Sequence, residues 1–207
     1  KEEQAIAWQR FGMPLAEPML PANAPVLAAL ALPQEYAITD AESRGVGSML
    51  SAIREGLGRG LRLIQVRDKR LACREEFARS VVRLAREHGA KVLINGGPAL
   101  GDGVHFTAAQ LMQLEHRPVQ GLAAASCHDE GELGRAMALE LDFAVLGPVK
   151  PTVSHAAART LGWEGFARMV RGASIPVYAI GGMEPSDLED AWRAGAHGIA
   201  MIRGAWR

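Results

Sequence analysis

Between Gln65 and Lys69 the sequence QVRDK sets an amide and two cations at alternate positions, with Val66 and Asp68 between them. Successive side chains of an extended chain point to opposite faces, so Gln65, Arg67 and Lys69 share one side. An amide and two cations converging on one spot suit a phosphate or pyrophosphate, whose oxygens accept charge-assisted hydrogen bonds. A solvated turn after a strand would use the same residues. Other apolar runs also close on polar or glycine residues: LIN on Asn95, AAASCH on Ser126 and His128, LGPVKPT on Thr152, AIGG on Gly181 and Gly182, and AMIRG on Arg203 and Gly204. Pro185 and the capping pattern Ser186 to Glu189 follow the glycine pair, which predicts a loop opening onto a helix N-terminus. Free backbone N–H groups at such a place bind phosphate. Ordinary strand-to-helix turns use glycines in the same way.

These residues need a scaffold that brings strand ends together. Short β-rich runs occur at YAIT, LRLIQV, KVLIN, GVHF, GLAAAS, FAVLG, VYAIGG and GIAMI, with helical patterns or short linkers between them. Val46, Leu50, Ile53 and Leu57 fall on one helical face, with Gly58 and Gly60 as stop signals; Phe77, Val81, Leu84 and Ala85 repeat the device, with Gly89 after the end. Strands apolar on both faces fit a parallel sheet covered by helices. The expected fold is α/β, a compact (β/α)8 TIM barrel, and a doubly wound open sheet is the competitor. In the barrel all the polar strand ends meet at one rim, and a phosphate site after strands seven and eight is a common arrangement.

Composition narrows the functional classes. The 207 residues are 48% hydrophobic, enough for one main domain with a full core. Lys and Arg number 23 and Asp and Glu 23, so no net field draws the chain to nucleic acid or an anionic membrane, and any anion must be bound locally. Two cysteines, Cys73 and Cys127, do not make a disulfide framework, and no apolar run is long enough to span a bilayer. The chain reads as cytoplasmic. Its first residues, KEEQAIAWQ, carry no starting methionine and read as the middle of a longer protein.

In order, QVRDK, LIN, DGVH, GPV followed by PT, AIGGM and AGAHGIAMIRG resemble the strand-end signatures of the thiamine phosphate synthase and TenI family, over roughly Glu35 to Arg203. The resemblance implies that Gln65, Arg67, Lys69, Asn95 and Ser126 line a pyrimidine pyrophosphate pocket, and that Gly181, Gly182, Arg203 and Gly204 cradle a thiazole phosphate. It also exposes departures. Synthases carry one Asp directly after the Asn of LIN and a second beyond the GVH strand, and together these hold Mg²⁺. Here the positions read Gly96 and Gln110, so no metal or other cofactor is expected. The pyrophosphate-contacting Lys of the synthases reads His155, which is charged only part of the time near neutral pH. Pyrophosphate departure would therefore lose electrostatic help.

TenI-like members need no Mg²⁺ and aromatise a thiazole carboxylate phosphate tautomer, with a histidine after the fifth strand as acid/base. That position is His128, and an imidazole suits proton transfer at neutral pH. A helix cap beside Asp129 is the alternative role. His105 reads as a hydrogen-bonded structural histidine that could also face the mouth. Cys127 reads as a buried, inert thiol, Asp102 as a turn residue, and Trp163 and Trp192 as packing residues. No metal-ligand cluster has zinc spacing.

Residues 1–33 are rich in Pro and Ala and resemble the closing stretch of a MutT-type Nudix hydrolase, as residues 34–207 resemble the barrel. The resemblance implies a covalently linked upstream Nudix domain. REEF at Arg74 lacks the flanking Gly and Glu residues of a Nudix helix. Little sequence follows the eighth strand, so the last helix is expected to be truncated or missing, and the stretch Val26 to Leu32 is expected to cover part of the barrel exterior. Two function classes stay open: a TenI-type enzyme acting on a phosphorylated thiazole through His128, and a non-catalytic module that senses a thiamine-related phosphate or recruits substrate for the hydrolase. An active synthase is a further alternative. The expected partner is a phosphorylated small molecule, with no nucleic acid and no membrane, and self-association stays open.

Overall fold

The computed structural model describes residues 23–97, 100–152 and 160–207. Eight parallel strands close in sequence order into a barrel, which excludes the open sheet. They are β1 (Glu35–Ile38), β2 (Leu63–Val66), β3 (Lys91–Asn95), β4 (Gly103–Phe106), β5 (Leu122–Cys127), β6 (Phe143–Leu146), β7 (Val177–Ile180) and β8 (Gly198–Met201). All eight coincide with the apolar runs of the sequence. The helices are α1 (Ala24–Ala31), α2 (Ala41–Arg44), α3 (Val46–Gly58), α4 (Arg74–Glu87), α5 (Ala108–Gln113), α6 (Glu130–Ala138), α7 (Gly162–Val170) and α8 (Leu188–Arg193).

The period of two along each strand divides the core in two. Tyr36, Leu63, Leu93, Ala124, Phe143 and Tyr178 face inward, and the rings of Tyr36, Phe143 and Tyr178 plug the barrel with centroids 5.1–5.9 Å apart. The alternate residues pack outward under the helices. Ile53, Leu57, Phe77 and Val81 belong to one outer cluster, together with Met49, which the sequence pattern did not single out. Above the aromatic plug, inward positions turn polar at Gln65, Asn95, His105 and Ser126, so the strand ends form the floor of a mouth.

The N-terminal stretch corrects an expectation. Residues 24–31 form α1, with Asn23 before it and Pro25 in its first turn, but the helix buries no residue, and Val26 and Leu30 are 59% and 57% exposed. The end of the segment reaches the barrel. Leu32 packs on the inner cluster, its carbonyl meets His197 Nε2 at 3.0 Å, and the Pro33 carbonyl accepts a hydrogen bond from Tyr178 Oη. The segment thus touches the barrel interior rather than covering its exterior. After β8 the final element is a single 3-10 turn, Gly204–Trp206. Its buried Trp206 donates its indole N–H to the Ile38 carbonyl at 2.8 Å, and the ring lies over Gly56 of α3.

Candidate functional site

The polar fork after β2 splits by the predicted alternation. Gln65, Arg67 and Lys69 line a cavity of about 380 Å³ at the C-terminal mouth of the barrel. Asp68 turns the other way and is buried; its carboxylate accepts from Thr39 Oγ1 at 2.5 Å and from the Glu42 backbone N–H at 2.9 Å. Asp68 and the Arg70–Glu42 ion pair at 3.0 Å therefore tie the loop after β1 to the loop after β2. Neither Arg67 nor Lys69 makes an ion pair among the described residues. Burial, followed by the charges of Arg67 and Arg74, holds the Lys69 ammonium below its ordinary pKa. An anionic ligand would relieve this crowding of cations.

Asn95, Ser126, His128 and Thr152 line the same cavity, as do Gly181, Gly182, Arg203 and Gly204. His155 lies outside the described residues. Gly181 and Gly182 have φ of +104° and +64°. A Cβ on Gly181 would lie 2.7 Å from Pro148 Cβ, and one on Gly182 would lie 2.8 Å from the Pro151 carbonyl oxygen. Gly204 packs as tightly, its hypothetical Cβ 2.5 Å from the Met183 carbonyl, so the loops after β7 and β8 touch. The expected cap at Ser186 and Glu189 is replaced by a capping box between Glu184 and Asp187 on a 3-10 turn, Pro185–Asp187, that leads into the short α8. Proline fits that first position because it has no N–H to satisfy. Replacing Gly181 with Ala should weaken inorganic phosphate binding at least about tenfold, because the backbone cradle must shift. Gly134→Ala, whose new methyl meets nothing within 4 Å, should leave binding unchanged. Equal affinities in the two variants, measured by calorimetry, would remove the glycine loop from the site.

His128 stands half-exposed at the rim. Its ring Nδ1 lies 3.0 Å from Glu132 Oε2, and its backbone N–H donates to the same oxygen at 2.6 Å. The helix cap proper is Asp129, whose carboxylate accepts from the Glu132 N–H at 2.8 Å. With a carboxylate on Nδ1, the proton sits there and the basic nitrogen of the neutral ring is Nε2. The neighbouring Cys127 is buried under the helices, and burial together with Glu132 and Asp129 pushes its thiol up to about 12, which makes it a poor nucleophile.

Tyr36 and Arg74, which the sequence pattern did not mark, support the site, and His105, read as a hydrogen-bonded histidine that could face the mouth, is buried, hydrogen-bonded and lines the cavity. Tyr36 and His105 link the floor residues by hydrogen bonds. Arg74, at the first turn of α4, bonds the Asn95 carbonyl through Nη2 and lies beside Gly97, which adds a third cation near Lys69. Asp102 does not shape a turn alone; its carboxylate accepts from Val92 N–H at 2.9 Å and Lys91 Nζ at 3.1 Å, clamping β4 to β3. Trp163 packs edge-on to Phe166, as expected of a packing residue, whereas Trp192 is 44% exposed and bonds the His197 carbonyl.

The positions that the family resemblance assigns to a synthase-type Mg²⁺ do not fit the ion. Gly96 has no side chain and a φ of +63°. Gln110 Oε1 accepts from Thr107 N–H at 3.0 Å and Thr107 Oγ1 at 3.1 Å as part of the α5 capping box. A hard cation prefers anionic oxygens, and neither position supplies one.

A closed (β/α)8 barrel with a cationic, glycine-walled mouth defines the class of protein. A family profile described as thiamine monophosphate synthase matches residues 35–205. A Geobacter sulfurreducens protein, named only provisionally as a thiamine-phosphate synthase, is 35% identical over 178 residues, 81% of this chain and 84% of its own. The thiamine-phosphate synthase of Azorhizobium caulinodans is 31% identical over the same shares. The solved thiamine phosphate pyrophosphorylase of Pyrococcus furiosus superposes with a TM-score of 0.67 at 28% identity, covering 82% of this chain and 85% of that one. The chain belongs to the thiamine phosphate synthase/TenI family. No helix among the described residues is long and apolar enough to cross a membrane.

Proposed function

We propose that this barrel binds a thiazole phosphate or a thiamine-related phosphate without a divalent metal, and that it acts as a thiazole tautomerase through His128. The observation that carries the reading is one cavity lined by the glycine cradle, Arg67, Lys69 and His128, beside metal positions that carry Gly96 and Gln110. The phosphate is clamped by the loops at Gly181–Gly182 and Arg203–Gly204. Arg67, Lys69 and Arg74 supply positive charge that the absent carboxylate pair cannot supply through an ion. Glu132 holds the His128 ring so that Nε2 removes a proton from the thiazole-derived ring and the resulting imidazolium returns one at the position that completes aromatisation.

Residues 1–34 lie outside the family match, and reading residues 1–33 as the tail of an upstream Nudix hydrolase domain rests on their sequence resemblance alone. In that setting the second reading is a sensing or substrate-recruiting module, favoured by a His128 ring that is half-exposed rather than enclosed. Calorimetry with thiazole phosphate, its carboxylate and thiamine phosphate in EDTA tests binding, and a tautomerisation assay with His128→Ala tests chemistry. Metal-independent binding with turnover abolished in the variant is expected. Binding without turnover would leave the recruiting module. A requirement for Mg²⁺, or thiamine phosphate formation from a pyrimidine pyrophosphate, would establish synthase activity instead.

A further inference from the structure

Five side chains from five strands form one chain of hydrogen bonds across the pocket floor. Asn95 Nδ2 donates to Gln65 Oε1 at 3.5 Å, and Gln65 Nε2 donates to Tyr36 Oη at 3.1 Å. Tyr36 Oη lies 3.2 Å from His105 Nδ1, and His105 Nε2 lies 2.9 Å from Ser126 Oγ. Four of the five are essentially buried, so each group must satisfy its neighbours with the protons it owns.

That requirement fixes a direction. Burial raises the Tyr36 phenol well above its ordinary pKa, so it keeps its single proton, and burial together with the charge of Lys69 lowers His105 to about 3, so the ring is neutral. The phenol oxygen already accepts from Gln65 and must spend its proton on His105 Nδ1. The imidazole must then carry its proton on Nε2 and donate to Ser126, whose own hydroxyl proton turns to the pocket. At the opposite end Asn95 Oδ1 is buried and has no hydrogen-bond partner among the described residues. Turning both amides over would reverse every bond and point an amide donor outward at Asn95. The positive field of Arg67 and Lys69, which line the same cavity, favours the oxygen there instead.

We infer that Tyr36, which does not line the cavity, is a positioning residue that acts through His105 to fix how the floor reads its ligand, as an acceptor at Asn95 and a donor at Ser126. The ligand class follows: the buried end of the bound molecule presents an N–H or O–H group toward Asn95 and a lone pair toward Ser126. The inference rests on the cavity being the ligand site, but not on which reaction occurs there.

Nitrogen-15 NMR of the full chain labelled in histidine tests it without any ligand. Between pH 5 and 8, His105 should show a protonated Nε2 and a bare, hydrogen-bonded Nδ1. In Tyr36→Phe the Nδ1 resonance should leave its hydrogen-bonded position, and thiamine phosphate should bind about tenfold more weakly while inorganic phosphate binding at the glycine loops is unchanged. A protonated Nδ1 in the unmodified chain overturns the inference, and so does a Tyr36→Phe spectrum identical to it. Should Tyr36→Phe not fold, the tautomer in the unmodified chain decides alone. If the unmodified chain shows the expected tautomer yet binds no thiamine phosphate, the functional reading fails and the fixed direction of the floor stands.

Discussion

Replacing Trp206 with Ala is expected to lower stability by about 4 kcal/mol, the scale of a buried aromatic lost from a core. The indole is 4% exposed, fills the surface between β1 and α3 over Gly56, and gives its N–H to the Ile38 carbonyl. That carbonyl ends β1 and would be left without its donor. Arg44 adds a tether, donating from Nη2 to the Trp206 carbonyl at 3.1 Å. One 3-10 turn thus carries the packing that closes the β8–β1 side of the barrel. For a chain of this size the loss corresponds to a fall in Tm of roughly 10 °C. Trp206→Phe keeps most of the volume but not the N–H and should cost about 1–2 kcal/mol. Trp192→Ala should stay within about 0.5 kcal/mol, as an exposed side chain does. Thermal unfolding of the three variants checks the order; a Trp206→Ala chain within 1 °C of the unmodified protein would show that the turn is dispensable.

The barrel was legible because each strand is a short apolar run and each rim residue sits next to one. That local rule also placed Gln65, Arg67 and Lys69 on one wall. It fails where a partner surface decides the outcome. The run around Val26 and Leu30 has the composition and the Pro25 signal of a helix, and it forms one, but nothing in the run says whether a complementary surface exists. The cap after Gly181 shifted from Ser186 to Glu184 because a carboxylate reaching back from Asp187 competes with the hydroxyl pattern, and Lys150 pins that carboxylate from the loop after β6 at 2.5 Å. The floor was only half visible. Gln65, Asn95 and Ser126 stood out as polar strand ends, but Tyr36 looked like core, and its bonds to Gln65 and His105 span 29 and 69 positions in sequence. Only barrel closure brings those strands together.

Acidification should expose the cost of burying His105. Its folded pKa is lowered to about 3, while an unfolded histidine titrates near its ordinary 6.5. Below pH 6.5 the unfolded chain therefore binds a proton that the folded chain refuses, and stability falls as pH falls toward 3. The slope approaches about 1.4 kcal/mol per pH unit below pH 6.5, so moving from pH 7 to 4.5 should cost roughly 2–3 kcal/mol through this one group. No carboxylate joins the hydrogen-bonded chain around the ring: its nitrogens meet Tyr36 and Ser126, and the charge that acts on it is the cation of Lys69, which opposes protonation. Exposed carboxylates such as Glu42, held low by Arg70, add their own loss in acid at lower pH. A His105→Gln variant separates the contributions, since it keeps a polar side chain but has no proton to gain. Urea unfolding at pH 7 and 4.5 should show the variant less stable at pH 7 and flatter with pH by roughly 2–3 kcal/mol. If both chains lose the same stability on acidification, His105 is protonated in the folded state, and the neutral ring on which the direction of the pocket floor depends is lost with it.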